Sequence, residues 1–166
     1  EYVTREEPQD ARFENYTEAI TNMKLYVDNV PLASCIVQLM QKQQSKKPYI
    51  VLFDSGSSHT WWNGRSLPKG CVPQQGETVS STTLAGDMQT NLIAKLEGIT
   101  FPEFFKKRKI DSVEARVFHA DCRYDAIIGR DLLEEMGLIL DFKNSKMSWD
   151  ECHVPMRPFP TSNAAK

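Results

Sequence analysis

Long apolar runs are missing from this sequence. No stretch reaches the ~18–20 consecutive apolar residues that carry a helix across a bilayer, so a membrane-spanning helix is not expected. An apolar leader is missing as well. The chain begins Glu1-Tyr2-Val3-Thr4-Arg5-Glu6-Glu7, polar and acidic, unlike a secretory signal. It also begins without Met, which suggests a fragment of something longer. An excess of charge of one sign is lacking: the formal net charge is −2, which removes any global electrostatic case for direct nucleic-acid binding. One basic run, Lys106-Lys107-Arg108-Lys109, reads better as a solvated loop than as a binding patch. Metal-ligand clusters are lacking too. The four cysteines, Cys35, Cys71, Cys122 and Cys152, form no Cys-x-x-Cys pair, and the three histidines are dispersed, so no metal site is expected. The even cysteine count permits disulfides, but without secretory signals free thiols in a reducing compartment fit better.

What is present is an ordinary globular composition, 40% hydrophobic and 25% charged over 166 residues, enough for one domain with a real core. Residues 1–29 read as an acidic leader, partly helical or disordered; Ala11 to Met23 could form a short helix, with Phe13, Tyr16 and Ile20 at spacings of three and four. From Val30 the texture turns to β. Pro31 to Met40 and Pro48 to Phe53 read as strands, the second running straight into Asp54. Asn63 to Glu77 is a loop-rich zone holding Gly and Pro. Val79 to Thr83 and Met88 to Leu96 suit a hairpin turning at Ala85-Gly86-Asp87. Further strands are expected at Ile99-Thr100-Phe101, Val113 to His119 and Tyr124 to Gly129. A helix is expected at Arg130 to Met136, stopped by Gly137, and then a hairpin from Leu138–Phe142 and Lys146–Trp149 around Lys143-Asn144-Ser145. Residues 157–166 read as a disordered tail. Many short strands with one short helix argue an all-β barrel or sandwich.

The chemistry-bearing segment is Leu52-Phe53-Asp54-Ser55-Gly56-Ser57-Ser58. An acid directly after a buried apolar strand is costly unless it is hydrogen-bonded or partly protonated. Gly56 allows a tight turn and lets its N–H approach the carboxylate. Alone, Asp-Ser-Gly is a common turn. A second segment raises its weight: Ala126-Ile127-Ile128-Gly129-Arg130-Asp131-Leu132-Leu133, followed by Gly137 and Leu138-Ile139-Leu140-Asp141-Phe142. Alone, this too reads as a buried strand ending in a turn.

Together the two segments resemble the retropepsins, the proteases of retroviruses and long-terminal-repeat retrotransposons. Phe101-Pro102-Glu103-Phe104, Tyr124-Asp125 and the hairpin ending at Trp149 look more like the gypsy-type elements. The resemblance covers residues 30–156, taken as one protease domain. It implies an all-β, closed acid-protease barrel with one short C-terminal helix, working as a homodimer. It implies Asp54, Ser55 and Gly56 as the catalytic loop. Ser57, Ser58, Ile128 and the flap residues Thr83, Leu84, Ala85 and Gly86 would then contact substrate, and residues Val79 to Leu96 would form a mobile flap hairpin with Ala85-Gly86-Asp87 at its tip. Ile127 and Ile128 would pack under Asp54, and Gly129 would permit close approach. The implied substrate is an extended polypeptide, the element's own polyprotein. No metal or organic cofactor, no direct nucleic-acid contact and no membrane are implied, and the place of action would be intracellular, in the cytoplasm or in virus-like particles.

Two departures from the pattern matter. Ser57 stands where most retropepsins carry Ala; its hydroxyl either bonds the Asp54 carboxylate, lowering its pKa and the pH optimum, or bonds nearby backbone. Asp-Ser-Gly-Ser-Ser with Trp61 after it also resembles the pepsin-like enzymes. Those carry two such loops per chain, and the other Asp-Ser pair here, Asp111-Ser112, is followed by Val113. Ser58 stands where many retroviral enzymes place an acid that pairs with the helix arginine, so Arg130 lacks its usual partner; Asp131 and Asp125 are the candidates to replace it. A non-catalytic dimerisation module, or a retropepsin-like domain of a larger cellular protein, would share these motifs. The intact Asp54-Ser55-Gly56 argues against the first.

Overall fold

The computed structural model describes residues 29–39, 43–44, 47–83 and 86–158. The helix expected at Ala11 to Met23 and residues 159–166 of the tail lie outside them. In chain order the strands are β1 (Asn29–Val30), β2 (Leu32–Cys35), β3 (Gln38–Leu39), β4 (Gln43–Gln44), β5 (Tyr49–Phe53), β6 (Trp61–Asn63), β7 (Gln74–Thr83), β8 (Gly86–Thr100), β9 (Lys109–Phe118), β10 (Ala126–Ile128), β11 (Ile139–Asp141), β12 (Lys146–Trp149), β13 (Cys152–Pro155) and β14 (Arg157–Pro158). One α-helix, α1 (Arg130–Met136), lies between β10 and β11 among the described residues. Among the described residues the protein is mostly β with one α-helix.

Seven strands form the main sheet in the order β2-β5-β10-β6-β9-β8-β7. An inner strand of this sheet is β10, parallel to β5 and antiparallel to β6, so Ile127 stands opposite Leu52 and Trp61. That position explains the composition of Ala126-Ile127-Ile128: a strand paired on both edges and covered on its faces selects apolar and β-branched residues. Along β9, Val113, Ala115 and Val117 point inward at the period of two expected of a strand. The order is open at β2 and β7, but an isolated antiparallel bridge joins Ile36 to Thr100, with both N–H···O contacts at 2.8 Å. It brings the end of β8 back against the chain just beyond β2.

A smaller sheet, β11-β12-β13, packs its Met147 and Val154 into the same core. Trp149 stacks edge-on with Phe101, Phe104 and Phe105 at centroid distances of 6.2, 6.1 and 5.4 Å. Arg108 closes this cluster from outside. Its guanidinium lies 3.6 Å from the Phe105 ring centroid and 4.9 Å from that of Trp149, and donates to Asp150 at 2.6 Å. Of the basic run, Arg108 is therefore packed onto the fold, while Lys106 and Lys107 are exposed.

Helix α1 matches its expected span. Leu132, Leu133 and Met136 are buried, and Gly137 takes the left-handed conformation (φ 66°, ψ 35°). The Gly137 N–H donates to Glu134 O and Leu138 N–H to Leu133 O, satisfying carbonyls that the last turn leaves open. Several elements differ from expectation. Strand β6 falls in a stretch too short to show alternation, since all three of its residues are buried. Strand β7 begins at Gln74, inside the zone expected to be loop, because the long partner β8 offers a ladder to polar residues that lack β propensity of their own. Strand β13 pairs with β12 and doubles the expected hairpin into a three-stranded unit. Beyond the boundary at 156, Arg157 and Pro158 pair with Val30 and Asn29, and Arg157 forms an ion pair with Glu103, whose carboxylate also accepts Ser34 N–H at 2.6 Å.

Candidate active site

Strand β5 ends where its apolar run ends, and the next residue is Asp54. The chain is still tied to β10 there: Asp54 N–H donates to Ile128 O at 2.9 Å. Ser57 N–H donates back to Asp54 O at 3.2 Å, closing a tight turn. Inside that turn Gly56 N–H donates to Asp54 Oδ1 at 2.8 Å. A Cβ on Gly56 would stand 3.1 Å from the same oxygen, so glycine lets the N–H come this close. The carboxylate is thus held at a strand end and is only half-buried, with Ser55, Gly56 and Ser58 exposed beside it. A carboxylate in this setting can accept a proton or give one to a group that approaches from solvent.

Ser57 decides between the two roles open to it. It is almost wholly buried, and its hydroxyl donates to His59 O at 2.7 Å. A hydroxyl has one proton, so the expected bond from Ser57 to the Asp54 carboxylate is not made. The backbone alternative holds, because the turn carries the His59 carbonyl back over the Ser57 side chain.

The loop is fastened to the start of α1 at several points. Arg130 N–H donates to Ser57 O at 2.8 Å. Thr60, 1% exposed, gives its N–H to Asp131 Oδ2 at 3.0 Å and its hydroxyl proton to Asp131 Oδ1 at 2.7 Å. The Thr60 oxygen accepts Gly129 N–H at 3.1 Å. Gly129 has extended backbone, so its role is close approach: a Cβ there would lie 2.1 Å from His59 O and 2.8 Å from Ser57 O. Asp131 therefore serves Thr60 and not Arg130. Asp125 is also engaged, accepting Ser66 O–H at 2.6 Å and Ile50 N–H at 2.9 Å. The guanidinium of Arg130 is exposed and makes no ion pair among the described residues.

Ile128, expected to contact substrate, is 1% exposed and packs in the core; strand alternation turns Ile127, half-buried, to the other face. What Ile128 gives the site is its carbonyl. Of the residues expected in a flap, Thr83 and Gly86 form the last pair of the β7–β8 ladder, with Thr82 opposite Asp87. The expected turn at Ala85-Gly86-Asp87 is corrected accordingly: Gly86 and Asp87 belong to the ladder, and Leu84 and Ala85 lie outside the described residues. Tyr124, which the family resemblance includes but to which it gives no role in the site, stands within electrostatic reach of Asp54. Burial raises its hydroxyl pKa, the Cys122 thiol adds to this, and the Asp54 charge adds further against the opposing Arg123. Among the described residues no cluster of three or more His, Cys, Asp or Glu could hold a metal ion, and no helix is long and apolar enough to cross a membrane. All four cysteines are free thiols.

No protein-family model and no curated protein matches the sequence. Among solved structures, the retroviral protease-like domain of Ddi1 from Leishmania major is similar over 79% of this chain and 98% of its own, at 17% identity and a TM-score of 0.49. EIAV protease complexed with the inhibitor HBY-793 is similar over 67% of this chain and 91% of its own, at 21% identity and a TM-score of 0.46.

Proposed function

We propose that this chain is a retropepsin-like aspartic endopeptidase in which two copies each supply Asp54. The observation that carries the reading is the anchoring of that carboxylate. It sits at a strand end with Gly56 N–H on Oδ1, on a loop fastened to β10 and α1, and open to solvent. One chain holds one such loop, and a second copy related by a two-fold axis brings the second carboxylate. Two carboxylates at one site cannot both ionise cheaply and share a proton. The ionised member takes a proton from water as the water attacks the scissile carbonyl; the protonated member donates to the carbonyl oxygen. The protease domain spans residues 30–156, closes into an acid-protease barrel and pairs through a two-fold axis. The β7–β8 hairpin acts as a flap, and the polypeptide lies extended beneath it as an added strand. The substrate is the polyprotein of a retrovirus-like element, cut inside the cell.

The test is cleavage of an internally quenched peptide library across a pH series, with and without a pepstatin-like inhibitor, for wild type and Asp54→Asn. Asn is nearly isosteric but cannot take the water's proton. Turnover should fall by at least ~10²-fold with the circular dichroism unchanged, and the specific activity of wild type should fall on dilution as the pair dissociates. Activity of Asp54→Asn within about tenfold of wild type would sink the assignment. Turnover by a species that sediments as a monomer would sink the pairing. Concentration-dependent pairing with no turnover on any peptide would identify a non-catalytic module instead.

A further inference from the structure

We infer that Asp131 is a positioning residue, holding the Asp54 loop in register through the hydroxyl of Thr60. The inference rests on Asp54 being the reacting carboxylate. The two donors of Thr60, N–H and O–H, go to the two different oxygens of Asp131, at 3.0 and 2.7 Å. Asp131 Oδ1 also takes Leu132 N–H at 2.8 Å, so the carboxylate is itself pinned to the first turn of α1. Every one of these contacts asks for an acceptor, which an ionised carboxylate provides on both oxygens and an amide on one.

The hydroxyl proton of Thr60 is thereby committed to Asp131, and a lone pair is left for Gly129 N–H at 3.1 Å. Gly129 follows Ile128, whose carbonyl receives Asp54 N–H at 2.9 Å. A continuous path of short polar contacts and one peptide unit thus runs from Asp131 through Thr60, Gly129 and Ile128 to Asp54. Thr60 is buried at 1% exposure, so water cannot readily substitute for a lost partner. Arg130 has no acid of its own among the described residues. The link between loop and helix therefore falls to its neighbour.

Asp131→Asn puts an NH₂ group where one Thr60 donor points. Only one Thr60 donor then keeps an acceptor on residue 131, and the loop is held by one bond where it had two. The expected kinetic result is a kcat lower by about ten- to a hundredfold with KM little changed, as small displacements of a reacting group produce. Thr60→Val should show the same drop. The double variant should be no worse than either single one, because both break one path. Thr60→Ser, which keeps the hydroxyl, should recover most of what Thr60→Val loses. Asp131→Asn with kcat within twofold of wild type, or losses that multiply in the double variant, would overturn the inference. A second readout does not depend on turnover: amide hydrogen exchange at Asp54 and Gly129 should quicken in Asp131→Asn while the β9 amides stay as protected as in wild type. Unchanged exchange at both positions would overturn the inference. If wild type shows no Asp54-dependent cleavage, the enzymatic reading fails and the exchange result alone decides whether the path exists.

Discussion

Replacing Gly129 with Ala should be the most damaging of the small glycine substitutions in this protein, and the reason is local. The added Cβ would lie 2.1 Å from His59 O, 2.5 Å from His59 C and 2.8 Å from Ser57 O, all backbone atoms. A close-packed interior has no slack for this, and His59 O must retreat by about 1 Å. That oxygen accepts the Ser57 hydroxyl, and the neighbouring Ser57 O accepts Arg130 N–H. Overpacking of this kind costs ~1–3 kcal/mol, and each hydrogen bond lost adds ~0.5–1.5 kcal/mol. With one or two bonds lost, the cost comes to about 1.5–6 kcal/mol, against a total stability of ~5–15 kcal/mol for a domain. Two other glycines serve as controls. Gly137→Ala meets no atom within 4 Å but must hold φ at +66°, a penalty of ~1–2 kcal/mol. Gly64→Ala would meet the His119 ring at 2.1 Å, but that side chain is exposed and can swing away, so the cost should stay under ~1 kcal/mol. Urea unfolding followed by tryptophan fluorescence measures all three, with the midpoint read at constant m. The order should be Gly129, then Gly137, then Gly64. Gly129→Ala within about 1 kcal/mol of wild type, or no worse than Gly137→Ala, would refute the close-approach argument.

Two further outcomes follow from the hydrogen-bond and burial pattern. Ser57→Ala should leave the alkaline limb of the pH–rate profile where it is, because the hydroxyl proton already goes to His59 O; an upward move of that limb would show the hydroxyl acting on the carboxylates. Cys35, 0% exposed and with its thiol pKa pushed up first by burial and then by Asp125, should resist alkylation until the protein unfolds, while the partly exposed Cys71, Cys122 and Cys152 react first. Mass spectrometry of labelled peptides at increasing urea would read this directly, and native-state labelling of Cys35 at the rate of Cys122 would contradict the burial.

The elements that were legible in the sequence are those whose own residues dictate them. Tyr49–Phe53 is apolar, β-branched and aromatic throughout, and forms β5. Helix α1 carries its own spacing in Leu132, Leu133 and Met136 and its own stop in Gly137. The elements missed are those set by a partner. Gln74 to Thr78 has little β propensity, yet it joins the long hairpin because Ile93 and Leu92 stand opposite Gln74 and Gln75. A register shift between Gln75 and Val79 absorbs the misfit. Trp61-Trp62-Asn63 shows no alternation because both of its edges and both of its faces are covered, by β10 on one side and β9 on the other.

The site divides along the same line. Asp54 and Gly56 could be read from order alone, since a glycine two residues after an acid at a strand end has one evident use, and the Gly56 N–H makes that bond. The partners of Arg130 and Asp131 could not, because two adjacent helix residues face different directions and sequence spacing does not say which one meets the loop. At the first turn of α1 the loop lies on the Asp131 side, where Thr60 offers two donors to two oxygens. With Ser58 in place of an acid, an ion pair from Arg130 to the same loop has no second member. Holding the loop by a carboxylate that binds a buried threonine, with no ion pair from Arg130, costs little in energy, since exposed pairs contribute ~0–1 kcal/mol. It gains in geometry, because two bonds from one residue to one carboxylate fix both distance and orientation, and a hydrogen bond to a charged acceptor is stronger than one to a neutral group. The loop that carries Asp54 is therefore held through the buried side chains of Ser57 and Thr60, and its exposed face is left to whatever approaches Asp54 from outside.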